Sequence, residues 1–177
     1  MPPVVTTAEI DRPAAEVFAV ATDPARFKEW QKGVVDGHMV NPGNPDNTAQ
    51  PPGVGAKCVM TRRIGGADRP STSELVRFNP PETWGVRGTD GPIRAVVDVQ
   101  VEPVTDSRSR LTIRVDFTGY GIGKLLVPLM VRREARREMP ENIAALKRLI
   151  EKGLARPVLP PAAGSRRTGV RGWTWFQ

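Results

Sequence analysis

From Lys57 to Phe117 the chain is cut at short intervals by turn-forming residues: Gly65-Gly66, Asn79-Pro80-Pro81, Asp90-Gly91-Pro92 and Thr105-Asp106-Ser107. Breaks of this kind between β-prone runs define successive antiparallel hairpins. In the last two runs the side chains alternate clearly. Val97, Val99 and Val101, then Leu111, Ile113, Val115 and Phe117, fall on one face, and Asp98, Gln100, Glu102, Thr112, Arg114 and Asp116 on the other. A sheet with one dry face needs a cover. The only later segment able to supply it runs from about Lys124 to Lys152, which reads as one long helix.

The segments before Lys57 complete the plan. Val4 to Ile10 is a short strand that ends at Asp11-Arg12-Pro13, where Asp11 or Arg12 is positioned to cap a helix with proline in its first turn. Val17, Phe18 and Ala21 then recur at helical spacing. Thr22-Asp23-Pro24 repeats the signal for a second short helix carrying Phe27 and Trp30. Gly33 to Val40 reads as a strand and Asn41 to Gly55 as a long loop of the gating kind. In the terminal helix, Leu125, Leu126 and Leu129 share one direction, while Met139, Ile143, Leu146 and Ile150 point about a quarter turn away. A bend at Pro140 would reconcile them. The fold class is therefore α+β: a curved antiparallel sheet wrapped around one long C-terminal helix, with two short helices after strand one.

With 177 residues at 39% hydrophobic, the chain can bury one substantial core. We expect one domain over residues 3–153 and a tail, 154–177, that is rich in Pro, Gly and Arg and disordered. The tail ends Trp173-Thr174-Trp175-Phe176, an unpacked terminus or an aromatic anchor for a partner or membrane surface. Its four arginines and lack of acids leave only +3 of the net +7 to the body. The body has no basic stripe interleaved with stacking aromatics, so nucleic acid is not the expected partner. The single Cys58 cannot form an internal disulfide, and Met1-Pro2-Pro3 does not begin a secretory signal. A cytoplasmic location is expected. No run approaches the roughly 18 apolar residues of a transmembrane segment.

Several stretches together resemble the START/Bet v 1-like (SRPBCC) superfamily, in particular its polyketide cyclase/dehydrase and lipid-transport branch. They are Ile10-Asp11-Arg12-Pro13-Ala14-Ala15-Glu16-Val17-Phe18, Asp23-Pro24 with Trp30, Val54-Gly55, Phe78-Asn79-Pro80-Pro81 and the closing helix. The resemblance covers about residues 4 to 152. It implies a helix-grip fold with a deep apolar cavity, and relatives that bind lipids, sterols, polyketides or hormones. It carries no catalytic set, because fold does not determine function.

The residues narrow the chemistry further. A nucleophilic triad needs a histidine beside Ser or Cys, and the chain has one, His38. Cys58 reads as a small apolar filler, and no cluster has metal-ligand spacing. Neither a metal nor a cofactor is expected.

Glu74 alternates with Val76 and Phe78, which suggests the concave face. There its raised pKa would let it act as an acid or base, as cyclisation or dehydration requires. Alternatively the strand bulges, or Glu74 pairs with Arg62 at the rim. Arg133 and Arg136 lie in line with Leu126 and Leu129, to face a ligand's carboxylate or to extend into water. Tyr120 sits at a Gly-Tyr-Gly hinge where its hydroxyl can reach a ligand or join the core.

The candidate ligand-binding set is Trp30, Met60, Glu74, Val76, Phe78, Trp84, Val97, Val99, Tyr120, Leu126, Met130 and Arg133, with Glu74 the catalytic candidate. The expected function is binding or transport of a small hydrophobic ligand such as a lipid or polyketide. The alternatives are a cyclase or dehydrase acting in the same cavity, and a partner-binding module using the basic tail.

Overall fold

A computed structural model describes residues 2–41, 52–64, 66–126 and 130–153. Among these residues one curved antiparallel sheet has seven strands in the order β1-β7-β6-β5-β4-β3-β2. They are β1 (Val4–Ile10), β2 (Val34–Val40), β3 (Lys57–Ile64), β4 (Ala67–Asn79), β5 (Thr83–Gly88), β6 (Ile93–Thr105) and β7 (Arg108–Gly119). The clusters at Asn79-Pro80-Pro81, Asp90-Gly91-Pro92 and Thr105-Asp106-Ser107 each join two neighbouring strands, and β3 and β4 are likewise neighbours in the sheet. The 41–55 loop falls mostly, and the tail wholly, outside the described residues, as does the reading of each.

Two short helices join β1 to β2. Helix α1 (Ala14–Ala21) starts after Pro13, and no side chain caps it, so neither Asp11 nor Arg12 plays that part. The second is a 3-10 helix, Pro24–Glu29, in which Asp23 Oδ1 accepts the Ala25 N–H at 3.0 Å. It lies so close to β2 that a Cβ on Gly37 would meet the Pro24 carbonyl oxygen at 2.5 Å. Only glycine permits that approach. Its aromatics pack edge to face: Phe27 on Trp30 with ring centroids 5.6 Å apart, and Phe27 on Trp84 at 6.2 Å.

The covering helix differs in extent from the expected one. A single turn, α2 (Gly123–Leu126), comes first, and the long helix α3 is Arg132–Glu151, continuing through an exposed Pro140. Ile143, Leu146 and Ile150 are its buried stripe and Met139 packs beside them.

Three polar ties hold α3 in place. At its C-terminal end Lys147 donates to the Glu9 carbonyl, Arg12 Nη2 to the Glu151 carbonyl at 2.8 Å, and the Asp11 N–H to Glu151 Oε1 at 3.0 Å. In the middle the Lys32 N–H donates to Asn142 Oδ1 at 3.0 Å. At the N-terminal end the buried Arg132 donates to the Pro2 carbonyl and the Asp116 carboxylate. Burying charged and amide groups this way is tolerable because each is paired.

The core lies where α1, the 3-10 helix and the C-terminal half of α3 meet the inner face. Ile10, Val17, Leu75, Val101, Leu111, Leu146 and Ile150 are fully enclosed there.

Candidate functional site

The register of the sheet defines rows of side chains across its inner face. One row runs Leu75, Val86, Val97, Val115, Val4 from β4 to β1. The next row outward from the core holds Met39, Cys58 and Ser73 on β2 to β4, and Ala95 and Phe117 on β6 and β7. Gly88 fills its β5 position, where an added Cβ would come within 3.1 Å of the Ala95 nitrogen. Ser73, Gly88 and Ala95 are small, so the middle of this row is low. Beyond it Met60 stands opposite Ser71 and Arg62 opposite Arg69. Met39, Met60, Ala95, Val97 and Phe117, with Met139 from α3, are only partly buried although they pack against the core. The inner face is thus sealed at one end and partly open at the other.

A polar cluster borders this open half. The partly buried Arg62 guanidinium donates to Gln31 Oε1 and, at 3.5 Å, to the Lys32 carbonyl. Burial holds its pKa below the usual arginine value, and the carboxylate of Glu138 on α3 works in the opposite direction. The Lys32–Asn142 hydrogen bond ties the same stretch of chain to α3. Next to it in sequence, the Trp30 indole N–H is buried and has no hydrogen-bond partner among the described residues. A cation under the influence of a carboxylate therefore borders apolar surface, and its partner Gln31 is one residue in sequence from an orphan donor, which suits a mostly apolar molecule carrying one polar oxygen.

The expected site residues divide into two groups. Trp30, Met60, Phe78, Trp84, Val97 and Val99 lie on the inner side, with Trp30, Trp84 and Val99 buried in the core and Phe78 packed on Phe18. Glu74 and Val76 do not. Leu75 is 0% exposed and takes the inner position, while Val76 is 37% exposed and Glu74 lies outside, aligned between Lys57 and Arg87 of the adjacent strands. The reason is a β-bulge between Leu75 and Arg77, which places one extra residue in β4 and returns Phe78 to the inner face. Two-residue counting back from Phe78 therefore puts Glu74 on the wrong side. Arg62, the alternative partner for Glu74, is on the opposite face.

Corrections at the start of the covering helix have a similar origin. Arg133 is exposed, and it is Arg132, one residue or about 100° earlier, that turns inward to Asp116. Met130 and Tyr120 are also exposed, Tyr120 with the Arg94 guanidinium 4.2 Å from its ring centroid. The side chain of Leu126 lies outside the described set.

Cys58 and His38 cannot act together. Cys58 is buried and pairs in register with Met39, whereas His38 is exposed, 3.6 Å from Asp36. Burial pushes the Cys58 thiol up to about 12, so it carries no thiolate at neutral pH. Sequence reasoning missed Arg62, Gln31, Glu138 and Asn142 as a group. Arg62 shares its strand face with Cys58 and Met60, and that spacing was the available signal.

Solved structures share this architecture. The di-domain ARO/CYC BexL from the BE-7585A biosynthetic pathway aligns with TM-score 0.65 at 17% identity, over 85% of this chain and 47% of BexL, so the chain spans about half of that protein. TTHA0849 from Thermus thermophilus aligns with TM-score 0.64 at 15% identity, over 84% of this chain and 97% of its own. A START superfamily protein from Mycobacterium smegmatis aligns with TM-score 0.61 at 14% identity, covering 86% and 99%. At these identities the likeness is one of fold. No curated protein matches the chain in sequence. Among the described residues, no helix is long and apolar enough to cross a membrane. The sequence does match a known family over residues 1–151, and on that span the chain belongs to the polyketide cyclase / dehydrase and lipid transport family.

Proposed function

We propose that the protein binds a small hydrophobic molecule between the inner face of the sheet and α3, with Arg62 facing the ligand's polar end. The observation that carries this reading is the unequal burial of one continuous face. Leu75, Val99 and Leu111 are sealed, whereas Met60, Ala95, Val97 and Phe117 remain partly exposed beside a charged cluster. A sheet face that served only as core would be closed along its length. Membership of a family that includes lipid transport supports the same reading.

Native mass spectrometry of the purified chain, followed by organic extraction, tests it directly. A stoichiometric apolar compound, or saturable uptake of an apolar fluorophore that Ala95→Trp abolishes, is the expected result. Absence of both, or fluorophore uptake that Ala95→Trp leaves unchanged, would sink the proposal.

Arg62 favours a second reading, an enzyme of the cyclase or dehydrase kind. A fixed cation in a low-dielectric space stabilises negative charge developing on a carbonyl oxygen as an enolate forms. BexL, a di-domain ARO/CYC, has the same architecture. Turnover of a poly-β-keto compound, lost in Arg62→Gln while fluorophore uptake persists, would establish this reading. Uptake without turnover would leave the carrier.

A further inference from the structure

We propose that Tyr120, Ile122, Leu125 and Met130, which lie between β7 and α3, form a docking surface for anionic lipid. Tyr120, Ile122, Leu125 and Met130 are 46%, 67%, 68% and 64% exposed. Four large apolar side chains within eleven residues are unusual on a water-facing surface. Among the described residues the other exposed large apolar side chains, Val5, Val35, Val54, Ile64, Val76 and Val104, are scattered along the chain. Singly exposed residues need no explanation, but a cluster points to a contact.

The surrounding charge selects the partner. Residues 120 to 137 hold five basic side chains and one acid. Arg132 is committed to Asp116 and Arg137 lies 3.7 Å from Glu134. Lys124, Arg133 and Arg136 are exposed and make no ion pair among the described residues. Arg133, Arg136 and Arg137 stand at i, i+3 and i+4 and so share one side of the helix, and Met130 lies two residues before its start. Exposed apolar side chains followed closely in the chain by arginines with long apolar stems suit an interface where lipid tails lie beside phosphate. An acidic protein partner would satisfy the charge but gives no reason for Ile122 and Leu125 to stand out so far.

The location adds a second argument. Tyr120 follows Gly119 at the end of β7 that carries Phe117, so the surface adjoins the partly open half of the inner face. Docking there would turn that opening towards the bilayer. The surface stands independently of the binding reading above, since its test needs no internal ligand.

Co-sedimentation of the full chain with phosphatidylcholine vesicles, with and without about one-third phosphatidylglycerol, tests the proposal. The expected result is binding to the anionic vesicles alone, weakened at high salt. Ile122→Asn with Leu125→Asn should abolish it. Arg133→Gln with Arg136→Gln, both at exposed positions, should weaken it by on the order of tenfold. Circular dichroism and size exclusion confirm that each variant is folded. Failure of the parent chain to bind anionic vesicles would overturn the proposal, as would binding that both variants retain, which would point to the basic tail. Self-association abolished by the Ile122 and Leu125 changes, without vesicle binding, would also overturn it and assign the patch to a second copy.

Discussion

The Arg62 guanidinium on β3 donates to the side-chain carbonyl of Gln31, just after the 3-10 helix, and so joins the helical connection to the open half of the sheet. The bond spans 31 positions of chain, a second guanidinium nitrogen reaches the Lys32 carbonyl at 3.5 Å, and the Glu138 carboxylate of α3 acts on the same charge.

This arrangement predicts that Arg62 contributes little to stability and much to ligand capture. Arg62 makes no ion pair within 4 Å among the described residues, so its loss leaves no directly paired charge behind and costs mainly its hydrogen bonds to Gln31 and Lys32. Arg62→Met should change unfolding free energy by less than about 1.5 kcal/mol in urea melts. Affinity for fatty-acid probes should fall at least tenfold relative to uncharged apolar probes, about 1.4 kcal/mol. Equal loss for both probe classes would show that Arg62 shapes the space and does not read charge.

The bulge in β4 makes adjacent residues unequal. Leu75→Ala empties a fully enclosed position and should cost about 2–5 kcal/mol, whereas Val76→Ala on the exposed side should cost less than about 1 kcal/mol. Comparable costs at both sites would mean that the strand lacks the bulge.

Acid should loosen the two ends of α3. Burial raises the Asp116 pKa, but hydrogen bonds from the Phe117 N–H and Arg132 outweigh it and leave the carboxyl below its ordinary value. Glu151 is likewise lowered, first by the Asp11 N–H and then, against burial, by Lys147. A depressed carboxylate contributes stability above its unfolded-chain pKa and loses it as pH falls through the folded one. The melting temperature should therefore drop below about pH 4. Asp116→Asn should flatten that drop and, by leaving Arg132 buried without its carboxylate, cost on the order of 1–3 kcal/mol at pH 7. An unchanged pH profile in Asp116→Asn would remove this ion pair from the account.

Cys58 should resist alkylation in the native protein. With its pKa pushed up to about 12 by burial, iodoacetamide at pH 8 should add no mass until urea unfolds the chain. Modification of the native state at the rate seen in urea would place the thiol at the surface.

Much of the architecture is legible in local chemistry. Turn clusters end strands because Gly, Pro, Asn and Asp adopt or stabilise the required backbone angles wherever they occur, and the alternation along Val97–Val101 and Leu111–Phe117 is a property of an extended chain. Those signals determined the number and order of the later strands, their dry face and the need for a covering helix. The candidate site was less legible, since it depends on phase. One inserted residue at Val76 exchanged Glu74 for Leu75, and one helical step exchanged Arg133 for Arg132. Either side of such a choice is locally acceptable, and only packing against β5, α3 and Asp116 selects between them. Likewise Gln31, Arg62, Glu138 and Asn142 carry no shared sequence signal. They meet because the grip closes, and closure is a long-range event that a residue's neighbours along the chain do not specify.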